Sequence, residues 1–214
     1  MGQCGNLGLL IGVAATVGIL YCLGSRYWKV NSQVSSQQVN RGIQSYEGLW
    51  VRCTSYIPGQ FQCDNFDESY LALPAPLQCQ RAFMVIAGIC CVAGLVAGAM
   101  GQECIHAVSG KPKIWSARSG GILMIAAGIL TLASVSWYAA EVVREFWMDQ
   151  VNQSSFQYEF GAALYIGWIA SGLALISGCL MACCTCGEPE DEADGYRYTY
   201  NPPKTQPSRN TEYV

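Results

Sequence analysis

Charge is scarce in this chain, and it is missing altogether from four long stretches. Residues 7–24, 82–101, 119–140 and 160–184 contain no Asp, Glu, Lys, Arg or His. Only 13% of the 214 residues are charged, against about 25% in an ordinary soluble domain. Each stretch is about 18 residues or longer, and a helix needs roughly 20 apolar residues to cross the hydrocarbon core of a bilayer. A soluble helix of that length would present a charged face to water. The absence therefore excludes a soluble globular domain and points to four membrane spans.

Histidine is nearly absent as well. His106, the single one, borders the middle loop. A hydrolytic triad or a metal site needs several convergent acid, base or ligand groups, and the spans offer none apart from cysteine. No catalytic activity, cofactor or metal is expected. A basic patch is also lacking, and a net charge of −3 gives no means of neutralising phosphates, so nucleic acid is not an expected partner. The first apolar stretch has no basic region before it and no clear small-residue cleavage site after it. It reads as a retained span rather than a signal peptide.

What charge there is lies between the spans. Lys111, Lys113 and Arg118 crowd the short middle loop, and Arg197, Lys204 and Arg209 lie in the tail. The last loop, residues 141–159, carries Glu141, Glu145, Asp149 and Glu159 against Arg144 alone, and the good helix formers of 139–145 suit an extension of the third helix through Arg144 beyond the bilayer. Basic residues concentrate on the cytoplasmic side, so both termini and the middle loop are expected inside. The long first loop, residues 25–80, and the last loop are then outside. The first loop also holds Lys29, Arg41 and Arg52, which weakens the asymmetry without reversing it.

Twelve cysteines are present, and their settings differ. Cys53 and Cys63 stand in the polar first loop, while most of the others lie within or beside the spans. Disulfides persist on the oxidising, extracellular side, so a Cys53–Cys63 bridge fits an outside first loop. Strand-favouring residues occur at 28–34, 46–53 and 60–64, and Ile57-Pro58-Gly59-Gln60 suits a type II turn. A small antiparallel sheet follows, stapled by the bridge, because its apolar face is too small to stand alone. Residues 67–73 suit a short helical turn. The spans are rich in small residues, such as Gly94, Ala97 and Gly98, which let membrane helices approach closely. The fold class is thus a membrane four-helix bundle with a small antiparallel β-sheet on its outer end.

After Cys186 the composition turns acidic and then rich in Pro, Ser, Thr and Gln. Such a segment cannot bury enough apolar surface to offset its ordering entropy, so residues 187–214 are expected to be a disordered cytoplasmic tail. It ends in Thr211-Glu212-Tyr213-Val214, and a free carboxylate behind an apolar side chain suits a PDZ groove. Cys183, Cys184 and Cys186 cluster at a membrane edge. A structural zinc site needs four well-spaced ligands, so palmitoylation is the better reading, with Cys104 a further candidate and unmodified thiols the alternative. Asn152-Gln153-Ser154 forms an N-glycosylation sequon.

Trp28, then Gly48-Leu49-Trp50, then Cys53 and Cys63 resemble the signature of the claudins, the four-span proteins of tight junctions. The resemblance covers nearly the whole chain. It includes Leu77-Gln78 with Arg81-Ala82, Ser136-Trp137-Tyr138, Arg144-Glu145-Phe146, the run Tyr158 to Trp168, and the terminal Tyr213-Val214. The resemblance implies a plasma-membrane protein that polymerises with itself and other claudins, side by side in one membrane and head-on across the gap. It implies scaffold partners with PDZ domains and contact with membrane lipid. It also implies a lateral knob, Tyr70, that enters a neighbour's pocket of Phe146, Trp147 and Phe160. Two departures stand out: an extra residue between Cys63 and Ser69, and Met148-Asp149 where the family has Pro after the aromatic pair.

Asp64 directly follows Cys63, at a position where cation-selective claudins are acidic, and Asp67 and Glu68 lie close by. Carboxylates lining a narrow path favour cations, so the reading leans to a cation-selective paracellular pore. Arg41 and Arg52 in the same loop keep a barrier former open as the alternative, with anion preference less favoured. A further alternative is an auxiliary subunit of a membrane channel, because Gly-Leu-Trp also occurs in related four-span proteins.

Overall fold

The computed structural model describes residues 2–32, 44–57, 60–65, 75–101, 111–152 and 157–184. Within them the chain forms helix α1 (Gly2–Gly24), strands β1 (Lys29–Ser32), β2 (Gln44–Glu47), β3 (Val51–Ile57) and β4 (Gln60–Asn65), helix α2 (Ala75–Met100), helix α3 (Lys111–Asn152), strand β5 (Gln157–Phe160) and helix α4 (Ala162–Cys184). All four helices are long and apolar enough to cross a membrane. They close a ring: α1 packs on α2, α2 on α3, α3 on α4, and α4 back on α1.

The inside of the ring is built from small and flexible side chains, including Ala15, Met84, Ala87, Met124, Ala127 and Ala174, all inaccessible. Where α2 meets α3, a Cβ on Gly120 would stand 2.6 Å from the backbone nitrogen of Gly98, so only glycine permits that approach. Buried hydroxyls are satisfied locally. Thr131 Oγ1 donates to the Ala127 carbonyl at 2.8 Å, and Ser177 Oγ donates to the Gly8 carbonyl at 2.7 Å. An apolar medium leaves no other partner for them. Leu10, Ile89, Ile129 and Ile169 point outward and are each more than half exposed, as side chains facing lipid should be.

The strands form one antiparallel sheet in the order β4-β3-β2-β1-β5. Both α1–α2 and α3–α4 connections feed it, so it sits over one end of the bundle. Cys53 and Cys63 face each other across β3 and β4 and are bonded. Their pairing continues to Ile57 opposite Gln60. The turn expected at 58–59 and the helical turn expected at 67–73 lie outside the described residues.

Several expectations about element bounds differ from what is found. Helix α2 begins at Ala75, inside the loop expected at 25–80, and α3 begins at Lys111, so Lys111, Lys113 and Arg118 are helical and not in the middle loop. The strand expected at 46–53 is two strands, because Gly48-Leu49-Trp50 makes a turn in which the Gly48 amide donates to the Val51 carbonyl at 2.9 Å. The extension of the third helix expected through Arg144 runs further than that. Helix α3 continues through Asn152, and its extension buries Val142 at 3% exposure, which lets it continue past the apolar stretch. Phe160, expected to open the fourth span, instead ends β5. The Gly161 amide donates to the Trp28 carbonyl at 2.9 Å, and α4 begins one residue later.

Candidate functional site

The junction between sheet and bundle is made by the motif residues. Trp28 is wholly buried, and its indole N–H donates to the Cys22 carbonyl at the end of α1, 2.9 Å away. Its ring meets Tyr138 of α3 edge-on at 5.1 Å. Leu49 is equally inaccessible. Trp50 is half-exposed, yet its indole N–H donates to the Leu23 carbonyl at 2.8 Å. Arg81, near the start of α2, donates from Nε to the Leu49 carbonyl at 2.6 Å and stacks its guanidinium 5.0 Å from the Trp50 ring.

Gly48 is required because a Cβ there would meet Arg26 Cα and the Ser25 carbonyl oxygen, each at 2.6 Å. Gly161 is held the same way against the Tyr27 carbonyl. Trp28, Gly48, Leu49, Trp50 and Arg81 therefore form a latch. They carry structure: the indoles of Trp28 and Trp50 donate to carbonyls at the end of α1, where helix carbonyls lack intrahelical partners, and Arg81 donates to the turn at Leu49.

Above the latch runs a row of alternating charge. Register places Lys29 opposite Glu47, Glu47 opposite Arg52, and Arg52 opposite Asp64, so all four side chains share one face of the sheet. Arg52 directs Nε to Glu47 Oε1 at 2.5 Å, and Lys29 Nζ lies 3.6 Å from Glu47 Oε2. Lys29 also pairs with Glu145 from the α3 extension. Asp64 ends the row on the edge strand and is exposed. The opposite face of the sheet carries an aromatic series, with Tyr27 and Tyr46 at 5.3 Å and Tyr46 and Phe61 at 5.2 Å. Burial, and then the Tyr27 phenol, push the Tyr46 hydroxyl upward from its ordinary pKa, with Arg26 opposing. Tyr46 thus stays neutral and adds no charge.

Beside the sheet lies an aromatic groove of about 410 Å³. One wall is Val142, Val143, Phe146 and Trp147 of α3, the other is Tyr158, Glu159 and Phe160 of β5, and Tyr165 of α4 closes the end. Phe160 is fixed edge-on against Trp168 at 6.2 Å, and Phe146 against Trp147 at 6.1 Å. The structure thus brings Phe146, Trp147 and Phe160 together in one concave surface. Trp147 is 66% exposed, so the groove is open to a visitor.

Other expected site residues are dispersed. Asp67, Glu68, Tyr70, Cys104, Cys186 and Thr211 to Val214 lie outside the described residues. Asn152 ends α3, Cys184 ends α4, and Cys183 is exposed next to it. Among the described residues no group of three or more His, Cys, Asp or Glu side chains is placed to hold a metal ion. Sequence reasoning missed the contribution of β5, Lys29 and Glu47. Alternation of Lys29 and Asn31 with Trp28 and Val30 was a signal for the first strand's two faces. Nothing in the chain pointed to the partner across it.

The match to the family model "PMP-22/EMP/MP20/Claudin family" spans residues 6–181. Claudin-19 of Mus musculus is 38% identical over 186 residues, covering 86% of this chain and 81% of the relative. The chain belongs to the claudin family. Claudin-7 of Homo sapiens is 33% identical over 211 residues, covering 97% of this chain and 96% of the relative. Claudin-3 of Homo sapiens is 33% identical over 201 residues, at 92% and 89% coverage. Membership, together with four apolar helices, makes this a multi-pass membrane protein of the tight junction.

Proposed function

We propose that this claudin polymerises into strands, serves a structural rather than an enzymatic role, and forms a cation-selective path between cells. The observation that carries the selectivity is the placement of Asp64. It lies at the exposed end of the charge row, one residue beyond the disulfide, while the Arg52 guanidinium opposite it turns towards Glu47. A partly dehydrated cation about 4 Å from such a carboxylate gains roughly 1–4 kcal/mol, depending on the effective dielectric. Asp67 and Glu68 would add to that field.

A barrier former is the second reading, and a specific feature favours it. Lys29, Glu47, Arg52 and Asp64 alternate in sign along one face, so seen from a distance the row is neutral. The cation reading needs the ion to approach the Asp64 end closely.

Lateral assembly would use the aromatic groove, with Tyr70 of a neighbouring copy as the inserted side chain. A rigid aromatic ring buries much apolar surface for little lost freedom, and the groove's aromatic walls support this reading. With both termini inside, Thr211 to Val214 would recruit PDZ scaffold proteins. Cys104, Cys183, Cys184 and Cys186 would be acylated at the inner membrane edge, whereas the sequon at Asn152 lies so near the membrane, in a contact loop, that an unmodified Asn152 is the favoured reading.

Freeze-fracture of fibroblasts expressing this chain alone tests the assembly. Continuous intramembrane strands at cell contacts are expected. Evenly scattered particles would instead indicate an auxiliary subunit of a channel.

A further inference from the structure

Lys29 opens β1 and is only 6% exposed. A buried ammonium is costly unless it is paired, and this one is met from three directions. Glu47 of β2 lies 3.6 Å away, Glu145 of α3 is in direct contact, and the Tyr158 ring of β5 lies beneath it with its centroid 3.7 Å from Nζ. Two of those elements, α3 and β5, are the facing walls of the aromatic groove. Glu145 immediately precedes Phe146 and Trp147, and Tyr158 itself lines the groove beside Glu159 and Phe160. One ammonium therefore ties the two walls together from behind.

On the side of α3 away from the groove, apolar packing between that helix and strands β1 to β3 is interrupted. A cavity of about 230 Å³, lined in part by Lys29, Glu47, Gln80, Tyr138 and Glu145, lies between α2, α3 and strands β1 to β3. The Gln80 amide Nε2 is buried there with no hydrogen-bond partner among the described residues. Close packing normally sets the distance between elements to within a fraction of a methylene. Across this polar gap packing gives no such constraint, and the pairing of Lys29 with Glu145 spans it from β1 to α3. Glu145 is half-exposed while Glu47 is buried, so Glu47 anchors the ammonium and Glu145 is the arm that brings α3 to it.

We propose that Lys29 is a positioning residue for the lateral groove, holding Glu145 of α3 and Tyr158 of β5 at the separation that admits a neighbouring copy's aromatic side chain. The inference deepens the lateral-assembly reading and rests on it. Lys29 touches no part of the incoming copy. It acts through the two walls, and the conservative change Lys29→Arg, which keeps the charge and the reach, preserves the spacing.

The test is strand length at contacts between fibroblasts expressing the full chain, with surface delivery and the Cys53–Cys63 bond monitored alongside. Phe146→Ala, a change in the groove wall itself, reports on the underlying reading. Lys29→Met keeps the apolar stem and removes the charge. Glu145→Gln releases α3 without burying an unpaired charge, since Lys29 retains Glu47. Expected are a several-fold loss of strand length for Lys29→Met and for Glu145→Gln, no further loss when the two are combined, and recovery in Lys29→Arg. If Phe146→Ala shortens strands while Glu145→Gln leaves them at wild-type length, the positioning role is overturned and the groove reading stands. Losses that add in the combined variant overturn it too, because the two residues would then act separately. Intact strands in Phe146→Ala remove the groove reading and this inference with it. Should Lys29→Met fail to reach the surface, Glu145→Gln decides alone.

Discussion

Inside the helix ring, the buried side chains are mostly alanine, glycine and methionine, and the polar ones hand their hydroxyls to nearby carbonyls. At the sheet, the buried side chains include Trp28, Lys29 and Glu47, and each of these binds a different element. The contrast follows from solvent. Lipid is as apolar as the helices, so contact between spans is won by close approach, and many small side chains serve equally well. The sheet end meets water and has too little apolar surface to fold alone. It is held by a few directed bonds. The bundle should therefore be tolerant outside its glycine contacts, and the sheet brittle at its latch.

Gly48→Val attacks the latch where the difference should be greatest. Its new Cβ meets the Ser25 carbonyl oxygen and Arg26 Cα at 2.6 Å. Overpacking of that kind costs about 3 kcal/mol, so little protein should reach the surface by biotinylation. Cys53→Ser comes next. Opening a bridge between residues 10 apart in sequence removes roughly 2–3 kcal/mol from the sheet alone. The four helices should persist by circular dichroism in nanodiscs, while paracellular function is lost. Arg81→Met removes the bond to the Leu49 carbonyl and the stacking on Trp50. A hydrogen bond from a charged group is worth about 1.5–3 kcal/mol, which thermal unfolding in nanodiscs would register. Ile169→Val on the lipid-facing side, 65% exposed, should change stability by less than about 0.5 kcal/mol. A large effect there, or a small one at Gly48, would break the contrast.

The same contrast explains what could be read from the chain. The four helices were legible because a span must be apolar all round over a length set by the bilayer, and the disulfide because its cysteines stand in a polar loop. Past the bilayer that rule stops. The extension of α3 was legible as far as Arg144 from its helix formers, but Glu145 and Asp149 make the residues beyond resemble a loop, and they remain helical with Glu145 paired to Lys29 of the sheet. Strand β5 is only four residues long and adjoins an apolar run, so Phe160 passed for the start of a span. Aromatic residues of the groove were legible through family resemblance. The row from Lys29 to Asp64 was not, because cross-strand register depends on the turn at Gly48 to Trp50, which hydropathy does not register.

Dilution potentials across epithelial monolayers expressing wild type, Asp64→Asn and Asp64→Lys test the central claim most directly. A cation path lined by Asp64 predicts that sodium over chloride permeability falls several-fold in Asp64→Asn and reverses in Asp64→Lys. High salt should reduce the difference, because a site open to water is screened. Identical permeability ratios in all three would contradict the account and leave this claudin a barrier former whose Asp64 only solvates the sheet edge.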